Sequence, residues 1–249
     1  MKIALIGDVH ANLIALQSVL SACKKHKIKQ IINVGDFVGY GAEPNEVIEI
    51  IKNKKNIINI IGNYDLKVLK FPQIKNKLEK KIIKEKFIAF KFAYEHLTDE
   101  NKTFLTELPR EYRTEINGYK LLAVHGSPDT IEEHLSKDTP KKRFIEIAKN
   151  ADADIIVSGH SHNFFTKKIN NVLFVNTGSV GRQNDGNPEA EYVILNILRN
   201  KIKINNYRVK YDINKTIETI KKNGLPEIFC EMIKCGRSLD YLLDEKLLN

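Results

Sequence analysis

Five short apolar runs in the sequence each meet a glycine flanked by Asp, Asn or His: "KIALIGDVH", "IINVGDFVGYG", "NIINIIGNYD", "YKLLAVHGSP" and "ADIIVSGHSH". Unbroken apolar runs bounded by turn signals predict strands covered on both faces, which requires helices or a second sheet on either side. Between the first three runs the apolar spacing changes to the helical period. A helix is expected from Asn12, its N-cap, to about His26, with Leu13, Leu16, Val19, Leu20 and Cys23 on one face, and another from Glu43 to about Lys54. The chain therefore opens as β-α-β-α-β.

In an open α/β sheet, ligands bind beyond the carboxyl ends of the strands. The side chains delivered there are Asp8, His10, Asp36, Asn63, His125, His160 and His162, which include four of the seven histidines of the chain. Each alone has an ordinary explanation. Asp8 could cap a helix, Asn63 could occupy a tight turn with Asp65, and a single histidine more often satisfies a core hydrogen bond than binds a metal. Together they read as a metal site. Asp-x-His and His-x-His are expected to set both side chains on one side of an extended backbone.

Carboxylate, imidazole and amide-oxygen donors suit manganese, iron, zinc, cobalt or nickel better than magnesium alone or a thiolate site. So many donors exceed one tetrahedral ion but fit two that share a carboxylate, with Asp36 the natural bridge. Two divalent ions about 3.5–4 Å apart can hold a bridging hydroxide at neutral pH, orient a phosphate and neutralise charge on the departing oxygen. Hydrolytic phosphoryl chemistry is the expectation.

From Leu66 to about Glu111 the pattern is helical only, a helical insertion. Ile83, Phe87, Phe90, Tyr94 and Leu97 form a stripe, and Thr98 caps a further helix that stops before Pro109. The stripe is expected to pack into the core; a lid over the site or a surface for homo-oligomer formation is the alternative. Strands resume at "YKLLAVHG", "ADIIVSGH", "FFTKKI", "NVLFVNTG", "AEYVILNI" and "KIKINNYRV". Hairpins are expected across Asn170-Asn171 and Arg199-Asn200, and helical segments near Glu132 and Ile145. Residues 212–249 read as a helical tail with a stop and restart at "NGLPEI", and residues 1–249 as a single domain.

The net charge of +9 comes almost wholly from dispersed lysine, which argues against a nucleic-acid face while still favouring an anionic substrate. Cys230 and Cys235 match no zinc spacing. No run approaches the roughly 18 apolar residues of a membrane span, and no cleavage site follows the first strand, so a soluble, cytoplasmic protein with no membrane partner is expected.

The five motifs, in this order, resemble the calcineurin-like metallophosphoesterase superfamily, whose pattern runs D-x-H, G-D, G-N-H-D/E, H, G-H-x-H. The likeness covers Met1 to about Leu198. "NTGSVGRQNDGNPEAEYVIL" and the insertion after "GNYD" look like the longer form of the prokaryotic YfcE-like branch, although the proline usual near Thr177 is absent. The resemblance implies an α/β fold, a β-sandwich of two mixed sheets flanked by helices, with the hairpins after Phe164 forming the second sheet. It implies one ion on Asp8, His10, Asp36 and His162 and another on Asp36, Asn63, His125 and His160, with Mn2+ the first choice.

Phosphate mono- or diesters are the implied substrates, whether nucleotide, small molecule or phosphoprotein; a non-catalytic metal-binding scaffold of the same fold is the alternative. Asn63 would also touch substrate phosphate, and Arg182 is a further candidate for that contact. Gly39 stands three residues after Asp36, where purple acid phosphatases carry a tyrosine ligand, which argues against a ferric-tyrosinate site. Tyr64 stands where the family commonly has a histidine assigned as general acid. A phenol, with an ordinary pKa of about 10, is a poor acid at neutral pH. Tyr64 is then either a hydrogen-bond donor to an easily expelled leaving group or a wall of the pocket.

Overall fold

β1 (Lys2–Ile6) is the hinge of the architecture, because its alternate residues enter different cores. Ile3 and Leu5 face one apolar cluster and Ala4 and Ile6 another, as the period of two requires when both faces are covered. After it come α1 (Leu13–Lys25), β2 (Gln30–Asn33), α2 (Pro44–Lys52) and β3 (Ile57–Asn59). The three strands are parallel. Asn12 caps α1, its Oδ1 accepting from the Ala15 amide at 3.1 Å, and the helix buries Ala15, Leu16, Val19 and Cys23 against the sheet. The computed structural model describes residues 1–248, with side chains through 245, so Asn249, the last residue of the expected tail, lies outside it.

The insertion consists of α3 (Asn63–Leu69), α4 (Phe71–Lys81), α5 (Lys84–His96) and α6 (Asp99–Glu107). Phe90 and Leu97 are buried, Phe87 and Tyr94 pack against the same cluster, and Ile83 is exposed; the stripe is mostly core. Thr98 caps α6 through its Oγ1, which accepts from the Asn101 amide. A second sheet is built from β4 (Glu111–Ile116), β5 (Tyr119–Val124), β6 (Ile155–Ser158), β7 (Phe165–Ile169) and β8 (Val172–Asn176), in the order β4-β5-β6-β8-β7. α7 (Lys141–Asn150) covers its outer face, with Phe144 and Ile147 buried.

β9 (Ala190–Leu198) and β10 (Lys201–Val209) complete the first sheet, in the order β10-β9-β1-β2-β3. The two mixed five-stranded sheets pack face to face through Ile3, Leu5 and Ile32 on one side and Leu121, Ala123 and Val157 on the other. Burying each such aliphatic side chain stabilises by about 1.5–3 kcal/mol. The tail forms α8 (Ile213–Lys222), α9 (Glu227–Cys235) and α10 (Leu239–Leu248), and joins Ala89 and Phe92 of α5 in one cluster through Phe229, Leu239 and Leu242. Among the described residues no helix is long and apolar enough to cross a membrane.

Three expectations are corrected. The second sheet includes β4, whose exposed, polar pattern at an edge carries no apolar run to reveal it. The second hairpin after Phe164 belongs to the first sheet rather than the second: β9 pairs antiparallel with β1, Ile3 opposite Leu195. Near Glu132 there is no helix among the described residues; 131–140 is a turn-rich loop, tied at and just before its start and along its length by the side chains of Ser127, Ser136 and Thr139, which accept from backbone amides in bonds of the kind that compete with helix.

Candidate metal centre

The loops after β1 and β2 are zipped to each other. The amides of Asp8, His10 and Ala11 donate to the carbonyls of Gly35, Asp36 and Phe37 at 2.9, 2.9 and 2.7 Å. This pairing holds Asp8, His10 and Asp36 at φ of 54°, 47° and 57°, a left-handed region that costs a non-glycine residue on the order of 1–2 kcal/mol. His160 and His162 adopt the same region, at 64° and 58°. The Asp-x-His and His-x-His pairs therefore do not lie on an extended backbone, as expected from the sequence, but on tight loops just past the strand ends. For the second pair the consequence is concrete, since His160 and His162 join different groups.

Asp8, His10 and His162 bring ligand-type atoms within 4.8 Å of one another, and so do Asp36, His125 and His160. All of these side chains are buried. Asp36 stands between the groups, Oδ2 3.8 Å from His10 Nε2 and Oδ1 3.5 Å from His125 Nε2. Asn63 joins the second group with Oδ1 2.9 Å from His125 Nε2.

Hydrogen bonds on the far side of each ring fix which nitrogen is bare. Carbonyl oxygens only accept, so Nδ1 of His10 donates to Val38, Nδ1 of His125 to Val34 and Nδ1 of His162 to Arg182, at 3.3, 2.7 and 2.6 Å. His160 instead donates Nε2–H to the Glu132 carbonyl at 3.2 Å, freeing Nδ1. Burial holds His10 and His162 below their ordinary pKa, and for His10 the nearby His162 adds to the effect. Two neutral rings thus aim lone pairs at each other across the 3.1 Å between His10 Nε2 and His162 Nε2. On the other side of Asp36, His125 Nε2 and the Asn63 carbonyl oxygen form a second close pair of ligand-type atoms, 2.9 Å apart.

Facing lone pairs repel, and a cation between them converts the repulsion into coordination. Asp8 Oδ1 adds to the case: it is buried with no hydrogen-bond partner, 3.3 Å from His162 Nε2. Burial pushes the Asp8 carboxyl up, but His162, His125 and His10 more than offset it and hold it below the ordinary range, whereas Asp36 is raised by burial and then by Asp8. The mixed oxygen and nitrogen donors, the orphaned carboxylate oxygen and the bare imidazole nitrogens fit two divalent ions.

The turn expected at "GNYD" is the start of α3, with Gly62 as N-cap and Asn63 as its first residue. A Cβ on Gly62 would lie 2.1 Å from Asp36 Oδ1 and 2.2 Å from the Asp36 nitrogen, so glycine alone permits this approach. Asp65 is a clamp: its carboxylate accepts from the amides of Asp36, Phe37, Val38 and Gly62 at 2.9 to 3.2 Å. Burial and the charge on Asp36 push it up to about 7 while two of these amides pull it down.

Tyr64 lines the cleft in front of the centre. Its hydroxyl shares a 2.8 Å hydrogen bond with that of Tyr40, its ring packs on Phe90 at 4.7 Å and meets His10 edge-on at 5.1 Å, and burial, reinforced by Tyr40, raises its pKa well above 10. The Arg182 guanidinium stacks over the Tyr40 ring at 4.3 Å, with a buried Nε that has no hydrogen-bond partner. The cleft, about 300 Å³, also takes Leu78 from α4 and Ile82 just after it, Lys86 from α5, and Asp240 from α10. The insertion therefore walls the site as well as filling core.

Sequence reasoning missed Lys67, Glu132 and His134, which line the same cleft; the His134 ring lies 3.9 Å from that of His160. Lys67 was findable, one helical turn beyond Asn63. Glu132 and His134 sit in "SPDTIEEH", whose only signal is its position directly after the "VHG" motif.

A family model for the calcineurin-like phosphoesterase superfamily domain matches residues 1–200. An uncharacterized protein of Methanocaldococcus jannaschii is 36% identical, with 94% of this chain and 98% of that protein aligned. Among solved structures, a metallophosphoesterase from Sphaerobacter thermophilus superposes with a TM-score of 0.77 at 26% identity, covering 95% of this chain and 100% of that one. A hypothetical protein from Pyrococcus horikoshii shares the fold with a TM-score of 0.85 at 22% identity, covering 93% of this chain and 97% of that one. With the sheets, the donor groups and the sequence match in agreement, the chain belongs to the calcineurin-like phosphoesterase superfamily.

Proposed function

We propose that this protein is a dinuclear metal-dependent phosphoesterase that hydrolyses phosphate mono- or diesters. The observation that carries the reading is the pair of close ligand-atom contacts, His10 with His162 and His125 with Asn63, on either side of Asp36. One ion would rest on Asp8, His10, Asp36 and His162 and the other on Asp36, Asn63, His125 and His160; the donor set suits manganese, with iron, nickel, zinc or cobalt as alternatives. When bound, such ions activate water and neutralise charge on the departing oxygen.

The chain's own residues bind and orient. Arg182 offers a guanidinium with an unpartnered Nε to a phosphate oxygen, the role its planar fork suits. Tyr64 and Tyr40 hold a phenol pair at the cleft. With its pKa raised, Tyr64 is a hydrogen-bond donor rather than an acid that gives up its proton, which favours aryl or phosphoanhydride leaving groups. Dispersed lysines support small substrates over a polymer. Residues 1–249 are read as one catalytic unit, supported by the cluster that joins insertion and tail, and as cytoplasmic.

The test is turnover of a mono-aryl and a bis-aryl phosphate by the apo protein, by the manganese-loaded protein and by Asp36→Asn. The expected result is metal-dependent turnover lost in the variant. No turnover with any of these metals would leave the protein a binding scaffold.

A further inference from the structure

The carboxylate of Glu132 occupies a place where a substrate anion would be expected. Its Oε2 accepts from Asn63 Nδ2 at 3.2 Å and from Lys67 Nζ at 3.1 Å, and its Oε1 lies 3.0 Å from Lys67 Nζ. Because Asn63 turns its oxygen toward His125, Nδ2 is the amide's outward face, available to an oxygen of a phosphate seated in the cleft. Glu132 is also anchored, since its carbonyl accepts from His160.

The cleft's lysines are similarly occupied. Lys67 is paired with Glu132, and Lys86 with Asp240 at 2.8 Å. Arg182 is left to meet the substrate, its Nε unpartnered. A site that sets a carboxylate beside the substrate position and neutralises its own lysines discriminates by charge. A diester carries one negative charge, while a monoester near neutral pH carries nearly two. We infer that Glu132 is a specificity-determining residue that makes this cleft select phosphodiesters over phosphomonoesters. The inference rests on the phosphoesterase reading above. One extra unit charge about 5 Å from the carboxylate, at an effective dielectric of ~40, is worth on the order of tenfold in binding.

The test is Glu132→Gln, which keeps an acceptor for Asn63 and removes the charge. In the manganese-loaded protein, kcat/KM is compared for mono-aryl and bis-aryl esters of the same phenol, with metal content assayed in each preparation. Binding of inorganic phosphate, largely a dianion at mildly alkaline pH, is measured in parallel by calorimetry. The expected result is a wild type that prefers the diester, and a variant with unchanged metal content whose ratio moves toward the monoester by about tenfold and whose phosphate affinity rises by a similar factor. Lys67→Met, which unmasks Glu132, is expected to move both in the opposite direction.

An unchanged ratio in Glu132→Gln, or a wild type that prefers the monoester, overturns the inference. If the wild type hydrolyses neither ester with any metal, the phosphoesterase reading fails. The phosphate affinities of the two variants then decide the charge role of Glu132 by themselves, and equal affinities overturn it.

Discussion

Substituting Gly62 by alanine adds a single methyl group at the most crowded point of the centre. Gly62 has φ of −96° and ψ of 173°, which any residue adopts, so the backbone conformation itself is not strained. The added Cβ would meet Asp36 Oδ1 at 2.1 Å, the Asp36 nitrogen at 2.2 Å and its Cα at 2.9 Å. Two of these atoms are backbone, so relief requires the loop after β2 to separate from α3 by roughly an ångström to restore ordinary van der Waals contact.

Overpacking of this kind costs about 1–3 kcal/mol. Separation also weakens the 2.8 Å bond from the Tyr64 amide to Asp36 Oδ1, and hydrogen bonds to charged groups are worth about 1.5–3 kcal/mol. Reduced freedom of the unfolded chain returns about 0.4–1 kcal/mol, leaving a net loss of roughly 2–5 kcal/mol. With a urea slope near 3 kcal/mol/M, the unfolding midpoint is expected to fall by about 0.7–1.7 M. Because Asp36 moves, manganese affinity and kcat should fall with it, since a 1 Å misplacement costs about a hundredfold in rate.

Gly118→Ala is the control. No atom lies within 4 Å of its Cβ position and its φ is +83°, so only the left-handed penalty of about 1–2 kcal/mol applies, and kcat/KM should not change. A Gly62→Ala protein within about 0.5 kcal/mol of wild type and fully metal-loaded would refute the reasoning, as would equal loss of activity in the control.

Tyr64→Phe is expected to slow alkyl esters several-fold more than aryl esters, because only the former need help in expelling the leaving oxygen; steady-state kinetics with equal losses on both would remove the donor role. Arg182→Met should raise KM for phosphate esters by at least tenfold, loss of a charge-assisted contact being worth about 1.5–3 kcal/mol, which initial-rate measurements will show. Chelating the metal should lower the melting temperature, and added manganese should restore it with a dependence on free ion concentration that thermal-shift assays can follow. Burial pushes the Cys23 thiol up from 9.0 to about 12. The unfolded thiol therefore ionises first, and stability should decline between about pH 9 and 12 by up to ~1.4 kcal/mol per unit; denaturant curves of Cys23→Ala over this range should be flatter than wild type.

The candidate metal donors were legible because each follows a largely apolar strand, a pattern that survives without knowledge of the partner strands. What joins them was not. The backbone at Asp8, His10, His160 and His162 is left-handed, a region uncommon even for Asp and His, which enter it more often than most residues, so the rule of alternating side chains gave the wrong backbone geometry at these positions. β4 was invisible because an edge strand exposed on one face reads as polar loop. β9 was recognised as a strand but assigned to the second sheet, since a run apolar on both faces fits the middle of either sheet and only its pairing with β1 decides. Glu132 and His134 lie on a loop held by turn bonds rather than by periodicity, and only folding brings them to the cleft.

The zipped loops after β1 and β2, clamped by Asp65 at the start of α3, hold Asp8, His10 and Asp36, whereas the later part of the insertion and the tail supply Leu78, Ile82, Lys86 and Asp240 to the walls. Reactivity and admission are thereby written into separate stretches of the chain. A lineage or a designer can recast the walls, trading one guest for another, while the chemistry at the strand ends is inherited intact.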